Sequence, residues 1–364
     1  MTELRVLVSI SLVVVLSLFL EKKYRWARSF GSVLLAITLG IVFSNLNLLP
    51  HTSAMYDGIF SYVVPMAIFF ILLGVRIDEL RKAGPTMLLA FALGSITVLL
   101  GVFMGLFFFY GFMGENAHQI AAVFTGTYIG GRVNFVAIGT ALNVPADILA
   151  GAAAADNVTT ALWMIVCIVV PKHLLKQKTI QRIESSDEFR QDISLLSFAS
   201  LLALGIFVLY LSSIKKKKIA FIPSILWVTT FTLICAQFNW VKKLQGAEVL
   251  GHYAILLFFV AIGALCDVET MIQVGPFLFA YTLMIVGVHG GMLWFINRWT
   301  KLPLASIVLA SQACIGGAPS AVSLAKSLGW QEYTASAAAI GILGYAVGNY
   351  FGFLVSVLVQ NVLV

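Results

Sequence analysis

Apolar runs of about 20 residues recur from one end of this 364-residue chain to the other. A run of that length is enough for a helix to cross the hydrocarbon core of a bilayer. Lipid supplies no hydrogen-bond partners for the backbone, so such runs must satisfy their polar groups internally, as a helix does. The sequence therefore predicts an all-α polytopic membrane protein with about 10–12 transmembrane segments.

The composition excludes a soluble protein and makes a nucleic-acid partner unnecessary. The chain is 60% hydrophobic and 11% charged, whereas soluble domains are about 45–50% apolar and about 25% charged. The net charge of +7 comes largely from Lys and Arg in short loops beside the apolar runs, where membrane topology explains it. Met1–Leu20 lacks a basic start and a small-residue cleavage site, and is interpreted as the first span. The four cysteines have no paired spacing, which indicates neither disulfides nor metal.

Polar stretches divide the chain into spans and one long linker. The hydrophilic stretch 171–192 is predicted to be a cytoplasmic linker between an N-terminal half, 1–170, and a C-terminal half, 193–364. Two apolar segments, 118–143 and 304–329, are interrupted by glycines. The uninterrupted spans are predicted at 4–20, 30–47, 58–75, 85–110, 147–170, 192–214, 219–238, 249–266, 275–297 and 333–360.

The two halves carry the same motifs in the same order, which indicates an internal repeat. "LGVRIDELRKAGP" (73–85) resembles "IGALCDVETMIQVGP" (262–276), and "YIGGRVN" (128–134) resembles "CIGGAPS" (314–320). An alanine-rich segment follows in both halves, and the offset stays at 186 residues from Thr125/Ser311 onward. Repeated halves, often inverted in the membrane, are typical of secondary transporters.

The glycine-broken segments decide whether the repeats are inverted. If both segments re-enter as hairpins, each half has five crossings and the halves are inverted; if both cross fully, the halves are parallel. With hairpins, nearly all Lys- and Arg-rich loops face the cytoplasm, apart from Arg5 and the tetralysine 215–218. We therefore expect hairpins, with crossing broken helices as the alternative, and we expect Gly130–Gly131 to approach Gly316–Gly317.

Two glycine breaks that meet at membrane depth predict a small-ligand site, because half-helix ends carry partial charges. The guanidinium of Arg132 is costly in a bilayer and matches a ligand carboxylate. The alternatives are that the glycines only allow close helix packing, and that Arg132 is solvated or pairs with a protein acid. The predicted substrate-binding residues are Arg132, Asn134, Thr127, Gly130, Gly131, Ser311, Gln312, Gly316, Gly317 and Ser320.

Asp156 is the acid that this sequence places in the middle of a span, which makes it the candidate for ion coupling. A buried carboxylate can carry a proton, or it can bind Na⁺ with neighbouring oxygens. A neutral or Arg132-paired structural aspartate is the alternative, and His289 is interpreted as a packing residue. The predicted ion-coupling residues are Asp156, Asn157, Thr125, Thr159 and Asn349, with Asp156 as the candidate Na⁺ ligand.

The motifs "GTYIGGRVNFVAIGTAL" (126–142), "AAADN" (153–157) and "IGGAPSAVSLAKSLG" (315–329) resemble the YjcL-like membrane family, number 819 among domains of unknown function. That family is similar in outline to the sodium-bile-acid, sodium-glutamate and cation-proton transporters. The resemblance implies inverted repeats, interleaved core and scaffold domains, a homodimer through the scaffold, and elevator-like movement. Asp156–Asn157 resembles the Asn-Asp pair of the cation-proton members in reversed order.

The expected function is ion-coupled (Na⁺ or H⁺) secondary transport of a small anionic organic solute across the cell membrane. The expected membrane is a bacterial plasma membrane. A cation/proton antiporter without an organic substrate and a membrane sensor or scaffold with a transporter fold are the alternatives. No ATP-binding or hydrolase motif is found in the sequence, so enzyme activity is not expected. No cofactor is expected apart from Na⁺ as a coupling ion, and the expected partners are the solute and the lipid bilayer.

Overall fold

A computed structural model describes residues 3–175, 194–219 and 221–363, and helices dominate these residues. A π-helical turn, Ile59–Val63, lies within the third helix. The helices are α1 (Glu3–Lys23), α2 (Arg25–Asn45), α3 (Ala54–Leu72), α4 (Gly84–Met113), α5 (Ala117–Gly130), α6 (Arg132–Ala141), α7 (Ala146–Leu175), α8 (Leu195–Lys218), α9 (Ser224–Cys235), α10 (Ala247–Leu265), α11 (Val268–Thr300), α12 (Leu304–Ser327) and α13 (Thr334–Leu363).

The predicted class, an all-α multi-pass membrane protein, is confirmed. Nine helical segments of the described residues are long and apolar enough to cross a membrane, and Phe30–Asn45 and Ser224–Cys235 are shorter apolar helices. The predicted linker 171–192 lies outside the described residues from 176 onward. Its first five residues belong to α7, which continues through Pro171 to Leu175. A proline inside a membrane helix is tolerated when its surroundings supply partners for the freed carbonyl.

Both predicted glycine breaks are present, and they have the same backbone geometry. Gly131, between α5 and α6, has φ 72° and ψ −172°, and Gly317, inside α12, has φ 77° and ψ −176°. This combination of angles is open essentially to glycine alone. The second glycine of each pair is therefore the one that the backbone requires.

The chain folds back on itself at the first break. The Gln119 side chain donates a hydrogen bond to the Leu142 carbonyl at 2.9 Å, although 23 residues along a straight helix would span about 35 Å. α5 and α6 therefore form a hairpin, and both of its ends lie on one side. At the second break the Ser320 hydroxyl lies 3.5 Å from the carbonyl of Gln312, eight residues earlier. α12 thus folds back about Gly317 in the same way.

The helices of the two halves follow the same order and divide into two packing groups. The order α2, α3, α4, hairpin and α7 in the first half matches α9, α10, α11, hairpin and α13 in the second. Helices α1–α3 and α8–α10 pack chiefly with one another and are called the panel group. Helices α4–α7 and α11–α13 do the same and are called the core group. Each half contributes its first three helices to the panel and the rest to the core.

Helix α13 lies against both hairpins through glycines spaced three or four residues apart. A side chain at Gly344 would collide with the carbonyl of Ile129, and one at Gly341 would collide with the backbone of Ala318. Small residues let membrane helices approach closely in this way. The glycines of this face are Gly341, Gly344, Gly348 and Gly352.

Candidate functional site

The two hairpin tips meet, as the internal repeat predicts. A Cβ atom placed on Gly131 would lie 3.7 Å from the Cα of Gly317. The ring of Tyr345 covers both glycines, at 3.3 Å from the Cβ position of Gly131 and 3.5 Å from that of Gly317. Sequence reasoning missed Tyr345, because the "GYAVGNYFG" motif identifies a glycine-rich helix face but not the part of the fold that it contacts. The first tip, the second tip and α13 therefore share one point in the core group.

Arg132 begins α6 directly after the first tip, and its side chain is exposed. Its Nη2 donates to the Asn157 Oδ1 of α7 at 2.6 Å, and the Asn157 amide in turn donates to the Ala153 carbonyl at 2.8 Å. The amide partner is neutral, and the charge of Arg132 also interacts with the nearby Asp156 carboxylate. Arg132 is thus oriented at the tips by an amide, and further donors of its guanidinium remain for an anion.

Asp156 is buried beside Asn157 and is surrounded by hydroxyl groups. It is 5% exposed and accepts a hydrogen bond of 3.3 Å from the Thr160 hydroxyl. The Tyr128 hydroxyl of α5 lies among Asp156, Thr159 and Thr282, and the two threonine hydroxyls are 2.7 Å apart. One carboxylate and several hydroxyl oxygens from α5, α7 and α11 form an oxygen-rich cluster, as hard cations prefer. Tyr128 and Thr282 were not among the predicted residues, and Thr282 carried no local sequence signal.

Several buried polar atoms around the glycine breaks have no hydrogen-bond partner within the described part of the chain. Among them are both amide atoms of Gln312 and the Oδ1 of Asn134. The Gln312 amide and the Ser320 hydroxyl lie so close to Gly316 that a side chain there would collide with both. The Asn134 amide donates to the Gly344 carbonyl at 3.2 Å. An unpaired buried polar group costs about 1–3 kcal/mol. These atoms are therefore available to water or to a ligand.

Ser311, a predicted substrate-binding residue, is already hydrogen-bonded to the protein. Its hydroxyl lies 2.8 Å from His289 Nε2 and accepts from the Trp163 indole N–H at 3.0 Å. His289 Nδ1 lies 2.9 Å from the Thr97 hydroxyl. This buried network joins α4, α7, α11 and α12, and both ring nitrogens of His289 have hydrogen-bond partners in it.

Other predicted residues have separate positions. The hydroxyl of Thr125 donates to the Ala121 carbonyl of its own helix at 2.7 Å. Asn349 donates to the Thr229 hydroxyl of the panel group at 3.0 Å, so its amide nitrogen joins the two groups, while its Oδ1 has no partner among the described residues. Thr127 is buried, and its carbonyl accepts the Gly131 N–H at the tip.

Comparison with known proteins extends over nearly the whole chain. Residues 7–362 match the family described as "Protein of unknown function (DUF819)". The chain is 29% identical to the "Uncharacterized membrane protein YjcL" of Bacillus subtilis (strain 168), and the alignment covers 92% of this chain and 91% of that protein. This chain therefore belongs to the DUF819 family of membrane proteins of unknown function.

Proposed function

We propose that this protein is an ion-coupled secondary transporter of a small anionic organic solute. The observation that carries the proposal is the meeting of two glycine-broken hairpins beside an exposed Arg132 and a buried Asp156. Broken backbone at membrane depth is tolerated where it is enclosed by protein or lines a water-filled cavity. Binding sites of secondary transporters are built at such points between repeats.

The solute would bind at the tips through groups whose hydrogen bonds are incomplete. The N-terminus of α6 and the Arg132 guanidinium both favour a negative charge, and a planar guanidinium can hold a carboxylate through two parallel hydrogen bonds. The unpaired amide nitrogen of Gln312 supplies a further donor, and the unpaired amide oxygens of Gln312 and Asn134 supply two acceptors. A small carboxylate fits these groups better than a neutral or cationic solute does.

The coupling ion would bind at Asp156. Without a bound cation or proton, the Asp156 carboxylate carries a negative charge. Such a charge opposes movement of the core group through an apolar barrier. A bound Na⁺ or proton neutralises it, and the Tyr128, Thr159 and Thr282 hydroxyls surround the same place. Asn157 joins the two sites, because it follows Asp156 in the chain and holds Arg132.

The division into two packing groups supports an elevator-like movement. Both tips, Asp156 and Arg132 lie in the core group, so the proposed sites would travel together while the panel group stays in place, as a dimer through that group would allow. Inverted repeats are part of this proposal, and two hydrogen bonds support them. The Ser44 hydroxyl at the end of α2 donates to the Ala264 carbonyl at the end of α10, whereas the Arg76 guanidinium near the end of α3 donates to the Lys242 carbonyl near the start of α10. The equivalent helices α3 and α10 therefore run in opposite directions, as inversion requires.

The test is gradient-driven uptake of carboxylates into proteoliposomes. Purified protein is first screened by thermal shift against mono- and dicarboxylates in Na⁺ or K⁺ buffers, because a ligand of the folded state raises its apparent stability. A carboxylate that stabilises the protein is then used for uptake under an imposed Na⁺ or H⁺ gradient. Asp156→Asn should abolish uphill accumulation, whereas Asp147→Asn, near the start of the same helix, should retain it. Full accumulation by Asp156→Asn would contradict the coupling role.

The two alternative functions give different results in the same assay. A cation/proton antiporter is favoured by the bond between Arg132 and Asn157, which gives Arg132 a structural use. It predicts ion exchange that depends on Asp156 and no stabilisation by any carboxylate. If the protein is a sensor or scaffold, we expect neither uptake nor ion exchange, and we expect the protein to tolerate Asp156→Asn.

A further inference from the structure

A cavity of about 300 Å³ lies apart from the hairpin tips, between α7, α11 and the first limb of α12. Its walls are almost entirely apolar and include Trp163, Leu293, Trp294 and Ile307. Gly290 allows α11 to approach α7 here, since a side chain at this position would collide with the Trp163 ring.

The cavity opens onto an exposed apolar surface of the helices. Val166, Val170 and Trp294 at its margin are 41%, 38% and 48% exposed, whereas Cys167 and Leu293 at its floor are 4% and 2% exposed. The exposed apolar face of α7 thus continues inward as an apolar recess. On a membrane-spanning helix, such a recess would be accessible to the acyl chains of lipids.

The polar groups of the cavity are already paired, so they do not call for a polar ligand. Ser311 bonds to Trp163 and His289 at the floor. Asn297, at the other end, accepts the Leu302 N–H at 2.9 Å and thereby holds the turn after α11. An apolar chain fills such a space without leaving polar atoms unpaired, and it restores the dispersion contacts that a void lacks.

Positive charge lies beside the polar end of the cavity. Arg298 occupies the last turn of α11 and Lys301 caps it, and both are exposed next to the cavity residue Asn297. Basic groups at the end of a membrane helix attract lipid phosphates. An occupant with an acyl chain and an anionic headgroup therefore satisfies both parts of the site.

We propose that an anionic phospholipid binds here, with one acyl chain between α7 and α12 and its phosphate on Arg298 and Lys301. The chain contacts Ile307 and Val308 on the first limb of the second hairpin. A bound lipid would hold that limb against α7 and so influence any movement of the hairpin. The site does not depend on the proposed transport function.

The experiment fills the cavity with a leucine side chain at Gly291 and compares this variant with the matched substitution at Gly287. Gly291 lines the cavity, Gly287 lies one turn earlier on α11 without lining it, and a Cβ at either position meets no atom within 4 Å. Delipidated full-length protein is titrated with phosphatidylglycerol or phosphatidylcholine, and retained lipid is counted by native mass spectrometry. Gly291→Leu should lose phosphatidylglycerol retention several-fold, and Gly287→Leu should match the parent protein.

A second variant tests the headgroup contact. The double variant Arg298→Gln/Lys301→Gln should remove the preference for phosphatidylglycerol over phosphatidylcholine while keeping the folded state, as circular dichroism would verify. Equal retention by Gly291→Leu and Gly287→Leu would overturn the proposal. So would a parent protein without preference between the two lipids.

Discussion

Substitution of the tip glycines tests the geometry on which the candidate site depends. Gly131→Ala and Gly317→Ala each place a Cβ on a backbone conformation that is essentially reserved for glycine, which costs about 1–3 kcal/mol. The nearest atom to the new Cβ belongs to Tyr345 in both cases, at 3.3 Å for Gly131 and 3.4 Å for Gly317. We therefore expect comparable losses of stability from the two substitutions.

The double variant tests whether the tips touch. Substitutions at distant sites add, whereas contacting sites differ from additivity by about 0.5 kcal/mol or more. Because the Cβ position of Gly131 lies 3.7 Å from Gly317, Gly131→Ala/Gly317→Ala should be non-additive.

The assay is equilibrium unfolding in mixed micelles, followed by tryptophan fluorescence and circular dichroism. Gly287→Ala is the control, because this exposed helical glycine has open space around it and alanine should stabilise its helix by up to about 1 kcal/mol. If Gly131→Ala were as stable as Gly287→Ala, the backbone would not bend at Gly131 as described. Strict additivity in the double variant would mean that the tips are apart.

Three further predictions concern individual side chains. Arg132→Lys should weaken carboxylate binding in the thermal-shift assay and Arg132→Ala should weaken it more, because a point charge replaces a planar donor pair. The hydrogen bond from Lys242 lowers the pKa of Asp78 in the folded state. The ion pair therefore stabilises the protein above the unfolded-state pKa of Asp78, and this stabilisation is lost as pH falls through the folded-state pKa. Lys242→Ala should reduce the loss of unfolding stability between about pH 5 and pH 3. Ser311→Ala should lower unfolding stability by about 1–3 kcal/mol, because the Trp163 N–H loses its acceptor.

Each of these predictions has a result that would contradict it. Equal carboxylate affinity in all three Arg132 forms would return this residue to a structural role. An unchanged acid limb in Lys242→Ala would mean that this exposed ion pair contributes nothing measurable to stability. Ser311→Ala with parental stability would show that water replaces the lost hydroxyl.

The helices and the glycine breaks were predictable because their causes are local. The length of an apolar run indicates a membrane helix regardless of what surrounds it. A glycine pair inside such a run indicates a backbone conformation that other residues rarely adopt. The repeat offset of 186 residues then relates Gly131 to Gly317, and the structure gives both the same angles.

The composition of the candidate site was only partly predictable, because side chains from distant segments enter it. Arg132, Asp156 and Asn157 could be selected since polar groups at membrane depth are rare and costly. The contact of Arg132 with Asn157, instead of with an acid, depends on how α6 lies against α7. Tyr345 and Thr282 enter the site from α13 and α11, and no pattern near either residue indicates its partner.

What the sequence by itself determined is the membrane class, the helix order, the two breaks and the charged residues near them, since each follows from the chemistry of a short segment. The tertiary structure alone decided which polar groups remain free for a ligand. Ser311 and Gln312 are adjacent and were both predicted to bind the solute, yet Ser311 finds partners on neighbouring helices and the Gln312 amide finds none among the described residues. The rotation and approach of packed helices determine that pairing, and these depend on contacts across the whole fold.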